Sequence, residues 1–374
     1  MNRLRALDVM RGLTVVLMIV VNTPVWGTPV YEALQHALWN GLTAADLVFP
    51  LFVFMMGVSV SFSLRCYDYT PSRTAVTKVL RRTLLIFIVG LALDYVEKGI
   101  AGVSSGLDFS RLRLTGVLPR LALSYGVASL LALYIGRRGL MWAVVAMLAV
   151  YAAVLLAFKG FEPTVANIVS RVDVALLGEN HIYHDWVPGG RIALDPEGLL
   201  GTLPSVAHVL IGYLCGRSLM EHAGGDPYRR ITPLLLAGAA LTIAGFALSY
   251  GIPLNKKVWS PTFVMVSCGM GALLLGLLIY AIDIRGYGRR SLEFFTVFGV
   301  NPLFLYILSS IAGVVMWEIT VAGQALPAWL YANVLATVCG TSTGLASLVY
   351  SLLVVTLCWA VGLPLFRRRI YIKI

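Results

Sequence analysis

Charge is the first thing this sequence lacks. Only 13% of its 374 residues are Asp, Glu, Lys or Arg, against 59% hydrophobic residues, where a soluble protein would carry about a quarter charged. The mean hydropathy is +0.83, and separate apolar runs reach the length of about 20 residues that a bilayer crossing needs. A soluble globular domain is therefore excluded. No GxxxxGK[ST] and no GxGxxG opening a helix is present, which excludes the common nucleotide-binding loops. The five cysteines, Cys66, Cys215, Cys268, Cys339 and Cys358, form neither a CxxC nor a metal spacing and read as small packing residues. His181 and His184, with Asp185 beside them, offer no third fixed ligand, so no metal is expected.

Acidic charge is scarcer than basic charge, leaving a net +11. Nucleic acid is not the partner this implies, because the basic residues sit in short clusters between apolar runs. Membrane lipid is the partner such clusters meet. The apolar runs mark ten helices, near 9–25, 45–64, 80–96, 114–135, 140–158, 200–219, 231–250, 260–282, 294–317 and 345–366. The expected fold is an all-α polytopic integral membrane protein with residues 1–374 as one domain. On alternate loops Lys and Arg number twenty on one side and eight on the other, with Arg120 inside the fourth run. That excess predicts cytoplasmic termini and an even number of spans. The basic start MNRLRALDVMRG lacks a small-residue cleavage site and predicts a retained first span. The segment 159–199 is the longest external loop, long enough to fold over the outer mouth.

Polar side chains where lipid is expected are functional candidates, and four of them gather on the outer side. Asn22 lies about 21 Å along a helix from Asp8, in the outer part of the first run. His36 stands on the loop 26–44, which carries no Lys or Arg. Asp46 opens the second run, and Arg120 lies roughly 9 Å inside the fourth. Each has a plainer reading. Asn22 can end a helix before Thr23-Pro24, Asp46 can cap one with Thr43, Arg120 can snorkel, and His36 can be loop surface. Asp195-Pro196-Glu197-Gly198 is a good helix start before the sixth run, and its acids face the same side as His36.

The blocks RALDVMRGLTVVLMIVVN (5–22), HALWNGLTAADLVFPLFVFMMGVS (36–59), RLTGVLPRLAL (113–123), DPEGLLGTLPS (195–205) and PLNKKVWSPTFV (253–264) resemble the heparan-alpha-glucosaminide N-acetyltransferase family, in its compact bacterial form. The resemblance implies an acyl-CoA-dependent acetyltransferase in the plasma (inner) membrane. Its co-substrate would be cytosolic acetyl-CoA and its acceptor an amino sugar of glucosamine type on the far side. The resemblance also suggests a homodimer. The family's active histidine falls on His36, its partner asparagine on Asn22 and the aspartate of the DLVFP block on Asp46. Arg113 and Arg120 bracket the RxxGVLxR segment as candidates for the coenzyme, while Asp195, Glu197 and Trp39 are candidates for holding the sugar. Pro119 stands where glutamine is expected in relatives.

Histidine suits amide formation because a free imidazole titrates near pH 6.5. His36 would be the general base or a transient acyl carrier, with Asp46 fixing its tautomer and Asn22 donating to the developing oxyanion. Two rivals stand beside this reading. O-acetylation of a cell-envelope glycan keeps the enzyme and changes the acceptor. A secondary transporter would place its polar site at the midplane on broken, repeated helices, and neither feature is visible in the sequence.

Overall fold

In a membrane an apolar run has no water to bond its backbone, so it folds as a helix that satisfies its own N–H and C=O groups. The computed structural model describes residues 4–102, 109–222, 225–288, 292–339 and 344–372, and helix dominates them. In chain order the first helices are α1 (Arg5–Asn22), α2 (Ala44–Leu64), α3 (Arg73–Ile100), α4 (Val117–Tyr134) and α5 (Arg137–Ala157). Then come α6 (Ile168–Leu177), α7 (Thr202–Glu221), α8 (Pro227–Leu248) and α9 (Pro261–Leu278). The last are α10 (Glu293–Val300), α11 (Pro302–Glu318), α12 (Leu326–Leu330), α13 (Ala336–Cys339) and α14 (Leu345–Arg367). Two antiparallel hairpins complete the fold, β1 (His184–Val187) with β2 (Gly190–Ala193) and β3 (Thr320–Val321) with β4 (Gln324–Ala325).

Every apolar run marked in the sequence falls on helix, the ninth on two of them, but ten spans do not follow from helix length and apolarity. Among the described residues six helices qualify: Ala44–Tyr67, Val117–Tyr134, Arg137–Ala157, Pro227–Leu248, Pro261–Ile284 and Leu345–Arg367. The ninth run, expected as one helix over 294–317, is bent by 88° between α10 and α11 and adds a seventh only if the pair crosses together. The break falls at Asn301-Pro302, where proline has no N–H to give. There the Asn301 amide donates to Ile370 O at 2.9 Å and accepts from Ile372 N at 2.9 Å, stitching the C-terminal segment into the gap. The first and third runs fall short because α1 carries Arg5, Asp8 and Arg11, and α3 has Arg81 and Arg82 before, and Asp94, Glu97 and Lys98 after, a short uncharged centre. Of the residues counted for charge asymmetry, Arg3, Arg289, Arg290 and Lys373 lie outside the described residues.

Helix interfaces are set by small residues, as expected where lipid gives apolar side chains no reason to leave it. The largest interfaces include α2 with α7 and α1 with α10. A Cβ on Gly57 would lie 2.1 Å from Val209 O, and one on Gly212 would lie 2.2 Å from Phe54 O. Gly12 and Gly299 interlock in the same way, 1.7 Å from Phe295 O and 1.8 Å from Asp8 O. Buried α2 and α7 thus form the spine. By contrast α5 and α8 are mostly exposed and present Trp142, Val145, Leu236 and Ile243 outward.

The 159–199 segment is not a bare loop, since it folds α6 and the β1–β2 hairpin. Val169, Val187 and Leu194 from it share a core cluster with Trp39, Tyr151, Leu155 and Val258.

Gly57→Ala is expected to lower the thermal midpoint in detergent, by the 1–3 kcal/mol typical of overpacking. Gly313→Ala, with open space at its Cβ and a helical position that favours alanine, is expected to leave the midpoint unchanged or raise it. Equal behaviour of the two variants would refute the close helix contact.

Candidate active site

The start of α2 builds the first part of the site. Thr43 and Asp46 form a capping box: Thr43 Oγ1 accepts from Asp46 N at 3.3 Å, and Asp46 Oδ2 accepts from Thr43 N at 3.2 Å. Such a cap satisfies N–H groups that a helix start leaves orphaned. Asp46 Oδ2 also accepts from Ala37 N at 3.1 Å, which folds the preceding loop back over the helix end. The other oxygen, Oδ1, lies 2.9 Å from His36 Nδ1. The two readings of Asp46 in the sequence, cap and partner of His36, both describe it, one per oxygen. Asp46 is buried to 1% side-chain exposure, whereas His36 keeps 43%. One face of the imidazole is therefore open.

The second part comes from the connection between α8 and α9. Asn255 and Ser260 clamp this turn: Asn255 N donates to Ser260 Oγ at 3.0 Å, Ser260 N to Asn255 O at 2.9 Å, and Val258 N to Asn255 Oδ1 at 3.1 Å. Within the clamp Trp259 is held at φ 51°, a region costly for a bulky residue. Contacts with Phe49 and Phe263 hold its ring. The turn is tied to the loop that carries His36 by Gly41 N donating to Leu254 O at 2.8 Å and Asn255 Nδ2 to Asn40 Oδ1 at 3.1 Å.

The tie brings Lys256 onto the imidazole, its Nζ 3.1 Å from His36 Nδ1 and 3.4 Å from Nε2, and 3.7 Å from Asp46 Oδ1. Burial pulls the Lys256 amine below the ordinary lysine range, against the raising effects of Asp46 and Glu197. With an ionised Asp46 accepting at Oδ1, Nδ1 is the protonated ring nitrogen and Nε2 carries the lone pair. Lys256 can then donate only to Nε2. In the sequence Lys256 counts toward the charge asymmetry alone. The signal that could have found it is PLNKK, a lysine pair in a short turn on the side poorer in basic residues.

A second cluster adjoins the first. Arg113 forks onto Asp195, with Nε–Oδ2 2.8 Å and Nη2–Oδ1 2.5 Å, and reaches Glu197 Oε2 at 2.7 Å. Asp195 also accepts from Thr115 Oγ1, Tyr183 N and Glu197 N. Burial alone would raise Asp195, but Arg113 overrides it and holds this carboxyl below its usual range. Arg120 is wholly buried, donates to Gly198 O at 2.7 Å, and lies 5.1 Å over the Trp259 ring. Its Nε and Nη1 have no hydrogen-bond partner, and Arg120 and Glu197 both line a cavity of about 170 Å³.

The expected residues therefore divide. His36 and Asp46 are brought together, with Lys256 added. Arg113 is spent on carboxylates at this end of the bundle, which leaves it no fork for a coenzyme phosphate. Asp195 has no exposure and no vacant role in holding a sugar, whereas Glu197 keeps 13%. Trp39 is buried, and its indole N–H donates to Phe161 O at 2.8 Å, so it anchors the 159–199 segment. Asn22 ends α1 with an exposed side chain that makes no hydrogen bond to His36, Asp46 or Lys256.

Apolar spanning helices that converge on a buried carboxylate, an open imidazole and a lysine define a polytopic membrane protein with a titratable site at one end. The chain belongs to the family described as heparan-alpha-glucosaminide N-acetyltransferase, catalytic, whose profile matches residues 3–250. It is 26% identical over 360 residues to the heparan-alpha-glucosaminide N-acetyltransferase of Mus musculus, covering 82% of this chain and 53% of the relative. The Homo sapiens protein of the same name is 26% identical over 361 residues, covering 82% and 52%. The chain spans about half the length of these curated relatives. His36 and Asp46 lie inside the matched 3–250 stretch and Lys256 lies beyond it.

Asp173 on α6 ties the site to the helix that follows, its Oδ1 accepting from Leu199 N at 2.9 Å and Leu200 N at 3.3 Å. Burial pushes its carboxyl up to about 6 from 3.8. A carboxyl raised on folding holds its proton longer in the native state, so ionising it costs stability as pH climbs between those values. Asp173→Asn is therefore expected to raise the thermal midpoint relative to wild type above pH 6 and to lose that advantage at pH 4. A difference independent of pH would overturn this assignment.

Proposed function

We propose that this protein is a transmembrane N-acetyltransferase that moves an acetyl group from cytosolic acetyl-CoA to the amine of a glucosamine-type sugar on the extracytoplasmic side. In this reading the chain is one domain of ten spans in the plasma (inner) membrane, with both termini cytoplasmic and His36 at the outer mouth. The reading is supported by membership of the N-acetyltransferase family and by the positive charge gathered on alternate loops. The observation that carries it is the His36 Nδ1–Asp46 Oδ1 contact of 2.9 Å, made by a carboxylate whose other oxygen is already engaged.

The chemistry follows from that contact. An amine attacks the thioester carbonyl, and its proton must leave as the C–N bond forms. With Nδ1–H pinned to Asp46, His36 Nε2 takes that proton and Asp46 stabilises the imidazolium, as the acid of a triad does. The C–S bond then breaks and coenzyme A departs as the thiol, protonated from His36. Lys256, close to Nε2, supplies positive charge where the carbonyl oxygen gains negative charge. Asn22 serves as a second donor when the substrate draws the end of α1 toward the ring. In the two-step version His36 Nε2 attacks first and carries the acetyl group to the amine.

His36→Ala is expected to lower the acetylation rate in membrane vesicles by about 10²–10⁴-fold while coenzyme A binding is retained. Glucosamine and its oligomers are the acceptors to supply, with the N-acetyl product read by mass spectrometry. Full activity in the variant, or a product acetylated only on oxygen, would refute the proposal. A second measurement uses labelled acetyl-CoA without acceptor: label retained on wild type and absent from His36→Ala identifies the acyl-carrier route.

A further inference from the structure

The turn between α8 and α9 carries two lysines in succession, and the fold gives them different partners. Lys257 Nζ donates to Trp186 O at 2.5 Å and lies 2.8 Å from Asp185 Oδ2. Those contacts occupy its amine and tie the turn to the β1–β2 hairpin. Lys256 turns to the imidazole instead, with Nζ 3.4 Å from His36 Nε2 and 3.7 Å from Asp46 Oδ1. Its position is fixed from both sides. The Asn255–Ser260 clamp holds the turn, and the bonds from Gly41 N to Leu254 O and from Asn255 to Asn40 hold the turn to the His36 loop.

A lysine amine is a nucleophile once it is neutral. The Lys256 side chain keeps only 14% exposure, and burial pulls its amine below the ordinary lysine range, which favours the neutral form. In its protonated form Lys256 supplies the charge that acetyl transfer uses. In its neutral form it is a second amine beside the nitrogen that handles the acetyl group. Reacting atoms about 3–3.5 Å apart are at near-attack distance, and Nζ already stands 3.4 Å from Nε2. An acceptor amine has to reach that place from outside, whereas the Lys256 amine is built into it.

We propose that Lys256 is a self-acetylation site: when no acceptor fills the site, the acetyl group passes to Lys256 Nζ and the enzyme disables itself. The inference rests on the acetyl-transfer reading above and concerns what that site does without its second substrate. Neutral Nζ attacks the acetyl carbonyl carbon and a C–N bond forms. In direct transfer the C–S bond breaks, and the proton shed by Nζ passes through His36 Nε2 to the sulfur of the departing coenzyme. In the two-step version the C–Nε2 bond breaks, its electron pair returns to the ring, and Nε2 takes the proton. Either way one thioester and one amine become one thiol and one amide, with no further reactant. The amide carries no charge, so the transition state loses the cation that faces its oxyanion, and Asp46 Oδ1 loses the one 3.7 Å away. The added acetyl group also stands beside Nε2, where an acceptor amine has to stand.

The test uses the full chain in phosphatidylcholine nanodiscs, incubated with acetyl-CoA that carries a deuterated acetyl group. Chymotrypsin leaves Lys256 and Lys257 in one peptide, so mass spectrometry reads their ratio internally. Without acceptor, label is expected on Lys256 about a hundredfold above Lys257, a small share of the advantage that orientation gives. Saturating glucosamine is expected to suppress it, and so is His36→Ala, with elution profile and thermal midpoint establishing that the variant is folded. Neutral hydroxylamine strips an acetyl group from imidazole and spares an amide, which separates label at Lys256 from label on His36. Pre-incubation with acetyl-CoA alone is expected to lower later glucosamine acetylation in step with the Lys256 label, and dilution does not restore it. Lys256→Arg keeps the charge but has no nucleophilic amine, so its rate, whatever its starting value, is expected not to decay. A wild type that acetylates glucosamine while Lys256 stays unlabelled would overturn the self-acetylation site alone. Equal label on Lys256 and Lys257, undiminished by glucosamine, would reduce it to solution chemistry and overturn it too. Label on neither glucosamine nor Lys256 would sink the acetyl-transfer reading itself.

Discussion

A single carboxylate organises the site end of this molecule. Asp46 Oδ2 closes the first turn of α2 and gathers the N–H groups of Thr43 and Ala37, while Oδ1 holds His36. Because α2 runs through the centre of the bundle, the cap that starts the helix also sets the position of the imidazole. The ring cannot drift without releasing a buried acid, and leaving such a group unpaired is costly. A site built on a rigid helix start is held more closely than one built on loops alone. The loop that carries His36 gains the rest of its order from its ties to Leu254, Asn255 and, through Trp39, Phe161.

Around that point the protein manages charge in two ways. Arg113, Asp195 and Glu197 neutralise one another in a compact buried cluster, which fixes the start of α7 and leaves little capacity for a ligand. Lys256 and Asp173 are instead perturbed by burial, one with its amine pulled down and the other with its carboxyl pushed up. Perturbed groups of this kind cluster where chemistry is done. Arg120 stands between the two regimes, buried over Trp259 with two nitrogens unpartnered. The far end of α2 follows different physics. There Arg11 is paired with Asp8, while Lys78 and Arg82 lie over the rings of Tyr67 and Tyr125.

Much of the architecture was legible in the sequence. Apolar runs of bilayer length became helices because no other backbone arrangement satisfies itself in lipid. Their boundaries shifted by a few residues, since caps such as Thr43 and Ser260 rather than hydropathy decide where helices start. The expected single helix over 294–317 failed at Asn301-Pro302, where the Asn301 side chain finds the distant backbone of Ile370 and Ile372 as hydrogen-bond partners. His36 and Asp46 could be paired from their place on one loop and one helix start. Trp39 and Asp195 were legible as members of the region but not as structural anchors, because burial and partner choice depend on elements more than a hundred residues away or across the bundle.

By itself, the sequence determined that this chain is helical and membrane-spanning, that a histidine and an aspartate meet at the mouth of α2, and that its motifs are those of one acetyltransferase family. These are local or compositional properties, carried by hydropathy, capping chemistry and short blocks of residues. Only the tertiary structure decided that Lys256 joins His36 while Asn22 stays apart, and that Arg113 is spent on carboxylates. It also decided that Arg11, Lys78, Arg81 and Arg82 surround one cavity. Those outcomes depend on which helices meet and how closely. Glycine contacts such as Gly57 with Val209 and Gly12 with Phe295 set that closeness by steric fit between distant segments, which no local pattern encodes.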